Sequence, residues 1–152
     1  MMAEDNRAST PPRFGLLVMT HGGLAREFVR ALEMIVGHVD RVRPLSIGWD
    51  DDPQKARTAV QSAIEEVDAG EGVLVLTDMF GGTATNLTLP HLSERVEIVT
   101  GVNLPMLIKF ANLRPETSLK EAAALIRDQG QRSIALANEY LEPSSRDPEG
   151  RE

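Results

Sequence analysis

The chain of 152 residues contains no cysteine. That absence removes disulfides, thiol nucleophiles and the common structural zinc sites from consideration. Positive charge is also short: 16 Lys and Arg stand against 23 Asp and Glu, a formal net charge of −7. A nucleic-acid binder should carry a basic face, so no nucleic-acid partner is expected. No apolar run approaches the roughly 18–20 residues of a membrane span, so no direct membrane insertion is expected. Residues 1–12 are polar, close on Pro11-Pro12 and lack the apolar core of a secretory signal. They are expected to be disordered, as is the charged, turn-rich tail 142–152. Residues 13–141 then form one domain, long enough to bury a continuous core. The expected setting is cytoplasmic.

Several familiar chemistries are missing too. Gly81-Gly82-Thr83 has neither the lysine nor the glycine spacing of a P-loop. There is no dinucleotide-binding G-x-G-x-x-G and no G-x-S-x-G elbow, and Ser46 and Ser62 sit in no nucleophile context. Thr20-His21-Gly22 has a threonine where histidine phosphatases place the arginine that grips phosphate. His21 and Asp78 have no evident third ligand, so no metal site and no cofactor are expected.

What the sequence does contain is a regular alternation of strand and helix patterns. Phe14–Thr20 reads as a buried strand ended by Gly22-Gly23. Leu24, Phe28, Ala31, Leu32 and Ile35 then form an apolar stripe at helical spacing, and Gly37 is placed to stop that helix. Val42–Ile47 is a weaker strand, and Pro44 suits it to a sheet edge. Asp52-Pro53 predicts a helix cap, with Ala56, Val60, Ala63, Ile64 and Val67 facing inward. Val73-Leu74-Val75-Leu76 is a continuous apolar run, as expected of a central parallel strand covered on both faces.

A short helix is predicted over Ala84–Leu92, a strand over Val96–Thr100, and a helix from Leu104 to about Asn112. Ser118 and Glu121 suggest a capping box for the last helix, with Leu119, Ala122, Leu125 and Ile126 inward. Ser133–Ala137 is predicted as a fifth strand. The order β-α-β-α-β-α-β-α-α-β predicts an α/β fold: a doubly wound, mainly parallel sheet with helices on both faces.

Right-handed crossovers bring three loops to one sheet edge. These are His21-Gly22-Gly23, Asp78 through Thr83, and Gly101-Val102-Asn103. In open α/β sheets ligands collect beyond the carboxyl ends of the strands. A histidine held by a carboxylate has one ring nitrogen fixed as N–H and the other left as a nucleophile, and glycine-opened backbone N–H groups suit phosphoryl oxygens. One reading is therefore a phosphohistidine site. The other is a histidine in a turn and an aspartate that caps the helix after Gly82. His38 and His91 lie at predicted helix ends, where a histidine commonly complements the helix dipole. Trp49, beside Asp50–Asp52, reads as loop packing.

Together the loops resemble enzyme IIA of the mannose family in the phosphoenolpyruvate-dependent sugar phosphotransferase system. The resemblance spans about Phe14 to Ala137. It is carried by Thr20-His21-Gly22, by Asp78-Met79-Phe80-Gly81-Gly82-Thr83-Ala84-Thr85-Asn86 and by Gly101-Val102-Asn103-Leu104-Pro105-Met106. It implies a phosphotransferase in which His21 accepts phosphate from the histidine-containing phosphocarrier protein and passes it to a IIB partner in sugar uptake. It also implies that Asp78 holds the ring and that Thr83 places a hydroxyl beside the phosphate, with Gly22, Gly23, Gly81, Gly82 and Asn103 at the phosphate or partner site.

The family fold implies a homodimer whose subunits exchange their last strand. No IIB module follows residue 137, so IIB is expected on a separate chain. Ala84 stands where proline is usual, and Phe80 where tryptophan is common. An alternative is a regulatory phosphoprotein whose state at His21 is read by a partner without transport. The phosphoryl-donating subunit of dihydroxyacetone kinase is a related possibility, but Gly101-Val102-Asn103-Leu104-Pro105 is not expected there.

Overall fold

A computed structural model describes residues 12–48, 52–79 and 83–141 of the chain. The elements alternate as the sequence pattern requires: β1 (Gly15–His21), α1 (Leu24–Val36), β2 (Val42–Ile47), α2 (Pro53–Val67), β3 (Val73–Thr77), α3 (Thr83–Thr88), β4 (Val96–Thr100), α4 (Leu104–Ala111) and α5 (Leu119–Arg132). Single turns of tighter helix cover Leu89–His91 and Ala137–Tyr140. The strands form one sheet in the order β2-β1-β3-β4, and all three pairings are parallel. Pro44 does lie in an edge strand, where a missing N–H costs least.

Alternation along the two central strands divides the core. Leu16, Val18, Leu74 and Leu76 face one side, where α1, α4 and α5 cover them with Leu32, Phe110 and Ile126. Phe14 and Phe110 meet edge to face there, with ring centroids 5.8 Å apart. Leu17, Met19, Val73 and Val75 face the other side, against Val60, Ala63 and Ile64 of α2 and Ala84 of α3. Each fully buried aliphatic side chain contributes about 1.5–3 kcal/mol. Burial on both faces is why β1 and β3 read as unbroken apolar runs. Gly15 permits this contact, since a Cβ there would lie 2.2 Å from the Val67 carbonyl oxygen.

Both predicted N-cap side chains bond their helices, although Ser118 and Glu121 form only the first half of the expected capping box. Asp52 accepts the Gln54 N–H at 3.0 Å, and Ser118 accepts that of Glu121 at 3.2 Å. Gly37 ends α1 at φ 83°. All five inward residues expected of α2 are buried.

Two expectations are corrected. In α1 the buried residues are Ala25, Val29 and Leu32, whereas Leu24 is 52% and Ile35 57% exposed. The buried face is turned along the helix from the expected one, to Ala25, Val29 and Leu32 at offsets of four and seven, which leaves Leu24 and Ile35 on the flank. Ser133–Ala137 is not a strand in the single chain. Ser133 caps α5, a turn follows at Ala137–Tyr140, and no described strand pairs with this segment. Ile134, Leu136, Tyr140 and Leu141 are exposed, and β4 is paired on one side only. Among the described residues the segment therefore has neither a ladder nor a core to hold it extended.

Candidate active site

The site stands where β1 and β3 end side by side. Their register pairs Met19 with Thr77, so both chains leave the sheet at the same edge. β1 runs one residue further than predicted and carries His21 as its last residue. Asp78 follows β3 directly. Adjacent parallel strands thus bring together residues 57 positions apart.

One carboxylate oxygen does most of the holding. Asp78 Oδ2 accepts the backbone N–H of His21 at 3.0 Å and lies 2.9 Å from the ring Nδ1. The other oxygen, Oδ1, accepts the Met79 N–H at 3.0 Å. A carboxylate can only accept, so Nδ1 must carry the proton in this pair, and the basic lone pair of the neutral ring is then on Nε2. Burial pushes the Asp78 carboxyl pKa up. The hydrogen bonds from the His21 backbone and ring and the charge of the ring outweigh that, so the group lies below its ordinary value. The carboxyl is thus anionic at neutral pH. The imidazole is 23% and the carboxylate 16% exposed, so the pair is partly open at the sheet edge and not sealed in the core.

The turn that follows is built by glycine. Gly22 has φ +56°, a conformation that side-chain-bearing residues rarely adopt, and its N–H bonds the Ile47 carbonyl at 3.2 Å. Gly23, at φ −84°, is the N-cap of α1. It supplies no capping side chain, so the start of α1 has backbone donors beside His21.

The remaining predicted site residues separate into three groups. Thr83 opens α3 and is exposed, five residues beyond Asp78. Gly81 and Gly82, like Phe80, Trp49 and the two expected disordered ends up to residue 11 and from 142, lie outside the described residues. Asn103 is at the third loop, but its side chain is committed within the fold. Its Oδ1 accepts the Met106 N–H at 3.3 Å and its Nδ2 donates to the Gly130 carbonyl at 3.1 Å. This amide ties the start of α4 to α5, and Val102 N–H ties the loop to Thr77 O at 2.9 Å. Asn103 therefore stands in the geometry as a brace for the third loop.

His38 and His91 do not join the site. His38 lies past the far end of α1, between Glu33 at 3.3 Å and Asp40 at 3.0 Å. His91 ends the turn after α3. Among the described residues no group of three His, Asp or Glu side chains is arranged to hold a metal ion. The residue that sequence reasoning passed over is Thr20, quoted only as part of a motif. It is fully buried and bonded to both His21 and Ala25. A polar residue at the end of an apolar strand was the signal available for it.

Comparison with known proteins gives a consistent picture. A family model described as "PTS system fructose IIA component" matches residues 15–127. The chain is 26% identical over 129 residues to the fructose-specific EIIA component of the phosphotransferase system in Bacillus subtilis, spanning 84% of this chain and 88% of that protein. It is 28% identical over 127 residues to the mannose-specific EIIAB component of Escherichia coli; the match spans 78% of this chain but 38% of that longer protein. Among solved structures, a IIA protein associated with the fucose utilization operon of Streptococcus pneumoniae superposes with TM-score 0.75 at 29% identity, over 89% of this chain and 99% of that one. The mannose/sorbose-specific IIA subunit of Enterococcus faecalis gives TM-score 0.73 at 28% identity, over 84% and 95%.

Proposed function

Because the chain belongs to the mannose-type IIA family of the sugar phosphotransferase system, we propose that it carries a phosphoryl group on Nε2 of His21. The group comes from the histidine-containing phosphocarrier protein and goes on to a IIB protein during sugar uptake. The observation that carries this reading is the 2.9 Å contact between His21 Nδ1 and Asp78 Oδ2.

In the forward step the Nε2 lone pair forms a bond to phosphorus as the donor's P–N bond breaks, and the donor nitrogen keeps that electron pair. The His21 ring retains its Nδ1 proton and becomes positive, and Asp78 lies against that charge. Two unit charges 4 Å apart interact by about 4 kcal/mol at an effective dielectric near 20. On the phosphate side, the N–H groups of Gly23 and Leu24 begin α1 and find no acceptor among the described residues. A helix N-terminus contributes about 0.3–1 kcal/mol toward an anion there. Thr83, with Gly81 and Gly82, makes up the remainder of the phosphate site that the family resemblance implies. In the onward step the IIB histidine bonds to phosphorus as the Nε2–P bond breaks and its electron pair returns to Nε2, so His21 is left as the neutral Nδ1–H tautomer.

We propose in addition that the working form is a homodimer. The open side of β4 and the exposed apolar residues Ile134 and Leu136 support an exchange of the segment after α5 between subunits. No described helix is long and apolar enough to cross a membrane, which accords with a carrier that meets its partners in the cytoplasm.

The test is incubation with labelled phosphoenolpyruvate, enzyme I and the phosphocarrier protein. Acid-labile label should appear on the parent and be absent from His21→Ala. Undiminished label in that variant would refute the assignment. Draining of the label by added IIB protein tests the onward step, and label that no IIB protein accepts would contradict it.

A further inference from the structure

Helix α1 starts without a cap of its own. Its N-cap residue is Gly23, which has no side chain to offer. The Ala25 N–H in the first turn is bonded instead by the hydroxyl of Thr20, at 2.7 Å, from inside β1. That hydroxyl in turn donates to the His21 carbonyl at 3.3 Å. Thr20 and Ala25 are both wholly buried, so water does not replace either bond.

We propose that Thr20 is a positioning residue for phosphoryl transfer at His21, its hydroxyl locking the peptide of the acceptor histidine to the first turn of α1. The inference rests on the phosphocarrier reading for its rate effect. His21 is then held from both sides: its N–H by Asp78 at 3.0 Å, its carbonyl by Thr20, and the next residue, Gly22, by Ile47 at 3.2 Å. Without the hydroxyl, the buried Ala25 N–H has no acceptor, and a buried donor of that kind is costly to leave unmade. The start of α1 relieves the cost by shifting, and it carries Gly23, Gly22 and His21 with it. Displacement of a reacting atom by about 1 Å costs on the order of a hundredfold in rate.

Three variants and two readouts test this. Thr20→Val keeps the branched shape and deletes the hydroxyl; Thr20→Ser keeps the hydroxyl and deletes the methyl. At a temperature where both are folded, Thr20→Val should slow single-turnover phosphorylation by roughly ten- to a hundredfold, with the KM for the donor carrier unchanged. Thr20→Ser should recover most of that loss. In the unphosphorylated proteins, nitrogen NMR of the His21 ring should show the Nδ1–H tautomer in the parent and in Thr20→Ser. In Thr20→Val it should show a mixture, as in Asp78→Ala. A solely structural role predicts lower melting temperatures with unchanged ring signals and an unchanged rate per folded molecule, and that result overturns the proposal. The ring signals do not depend on phosphorylation, so a parent that accepts no phosphate overturns the carrier reading while Thr20 is still tested. If Thr20→Val does not fold, amide exchange in the parent decides. Ala25 must exchange far more slowly than Leu24; equal rates refute the bond.

Discussion

Replacing Asp78 by asparagine removes one charge and almost no volume. The aspartate has two separable effects on transfer. It attracts the positive charge that develops on the His21 ring, and it repels the phosphoryl group on the far nitrogen. With the carboxylate 2.9 Å from Nδ1, the ring charge is centred about 4 Å away, which gives about 4 kcal/mol of attraction at an effective dielectric near 20. The phosphoryl group is about 6 Å away, where repulsion is roughly 3 kcal/mol per unit charge. That repulsion is present in the docked donor complex as well as in the transition state, so it largely cancels from the rate. The ring charge is new in the transition state. If half of it has developed, the loss is about 2 kcal/mol, and the full charge gives about 4 kcal/mol; these correspond to roughly a thirtyfold to a thousandfold slower step.

Asparagine also has a donor, and if its amide turns that donor toward Nδ1 the ring takes the wrong tautomer. The fold should survive, because the pair lies at the sheet edge outside both cores. Rapid-quench single turnover with a phosphorylated donor carrier, alongside thermal unfolding of the same sample, gives both quantities. If Asp78 were only a helix cap, Asp78→Asn would transfer at the parent rate, and that result would refute the orienting role.

Other expectations follow from the same geometry. Gly22→Ala should cost about 1–2 kcal/mol in denaturant unfolding because of its φ of +56°. Gly23→Ala should stay within about 0.5 kcal/mol, since a Cβ there meets nothing within 4 Å; equal costs would contradict the turn assignment. Burial raises the Asp68 carboxyl, but its bonds to Arg95, Gly70 and Gly72 hold it below the ordinary value. Its stabilisation is therefore complete above the unfolded value of about 3.9 and lost as pH falls through the lower folded value. Asp68→Asn should be less stable at neutral pH and lose less stability between about pH 4 and pH 2, and a parallel pH profile would show that these bonds do not favour the ionised group. Removing residues 134–152 leaves α5 and its Ser133 cap in place and should turn a dimer into a monomer by light scattering. A truncated chain that remains a dimer would put the subunit contact elsewhere.

The pairing at the heart of the site was legible because it needs only strand order. The apolar runs Phe14–Thr20 and Val73–Leu76 read as buried strands, and crossover handedness makes their ends converge. Helix α2 was legible to its individual residues because a single face meets the sheet. Helix α1 was not, because Leu24-Ala25, Phe28-Val29 and Ile35-Val36 are adjacent apolar pairs that allow two overlapping stripes, and the one through Ala25, Val29 and Leu32 is buried. Asn103 was placed at the phosphate or partner site by the family resemblance, and its bracing role within the fold was not legible. Its bonds to Met106 and to the Gly130 carbonyl depend on how α4 crosses α5. Thr20 was hidden for a similar reason, since its bond to Ala25 requires the exact path of the Gly22 turn. The segment after α5 has the apolar residues of a strand but no strand neighbour among the described residues. Pattern alone does not distinguish those two conditions.

The central claim is that phosphate resides on Nε2 of His21 while Nδ1 keeps its proton for Asp78. Phosphorus and nitrogen NMR of the uniformly nitrogen-labelled protein, phosphorylated by its donor carrier, tests it most directly. The expected result is a single phosphohistidine with a phosphorus–nitrogen coupling to Nε2 of His21 and a protonated Nδ1. Phosphate on Nδ1, or on any residue other than His21, would contradict it.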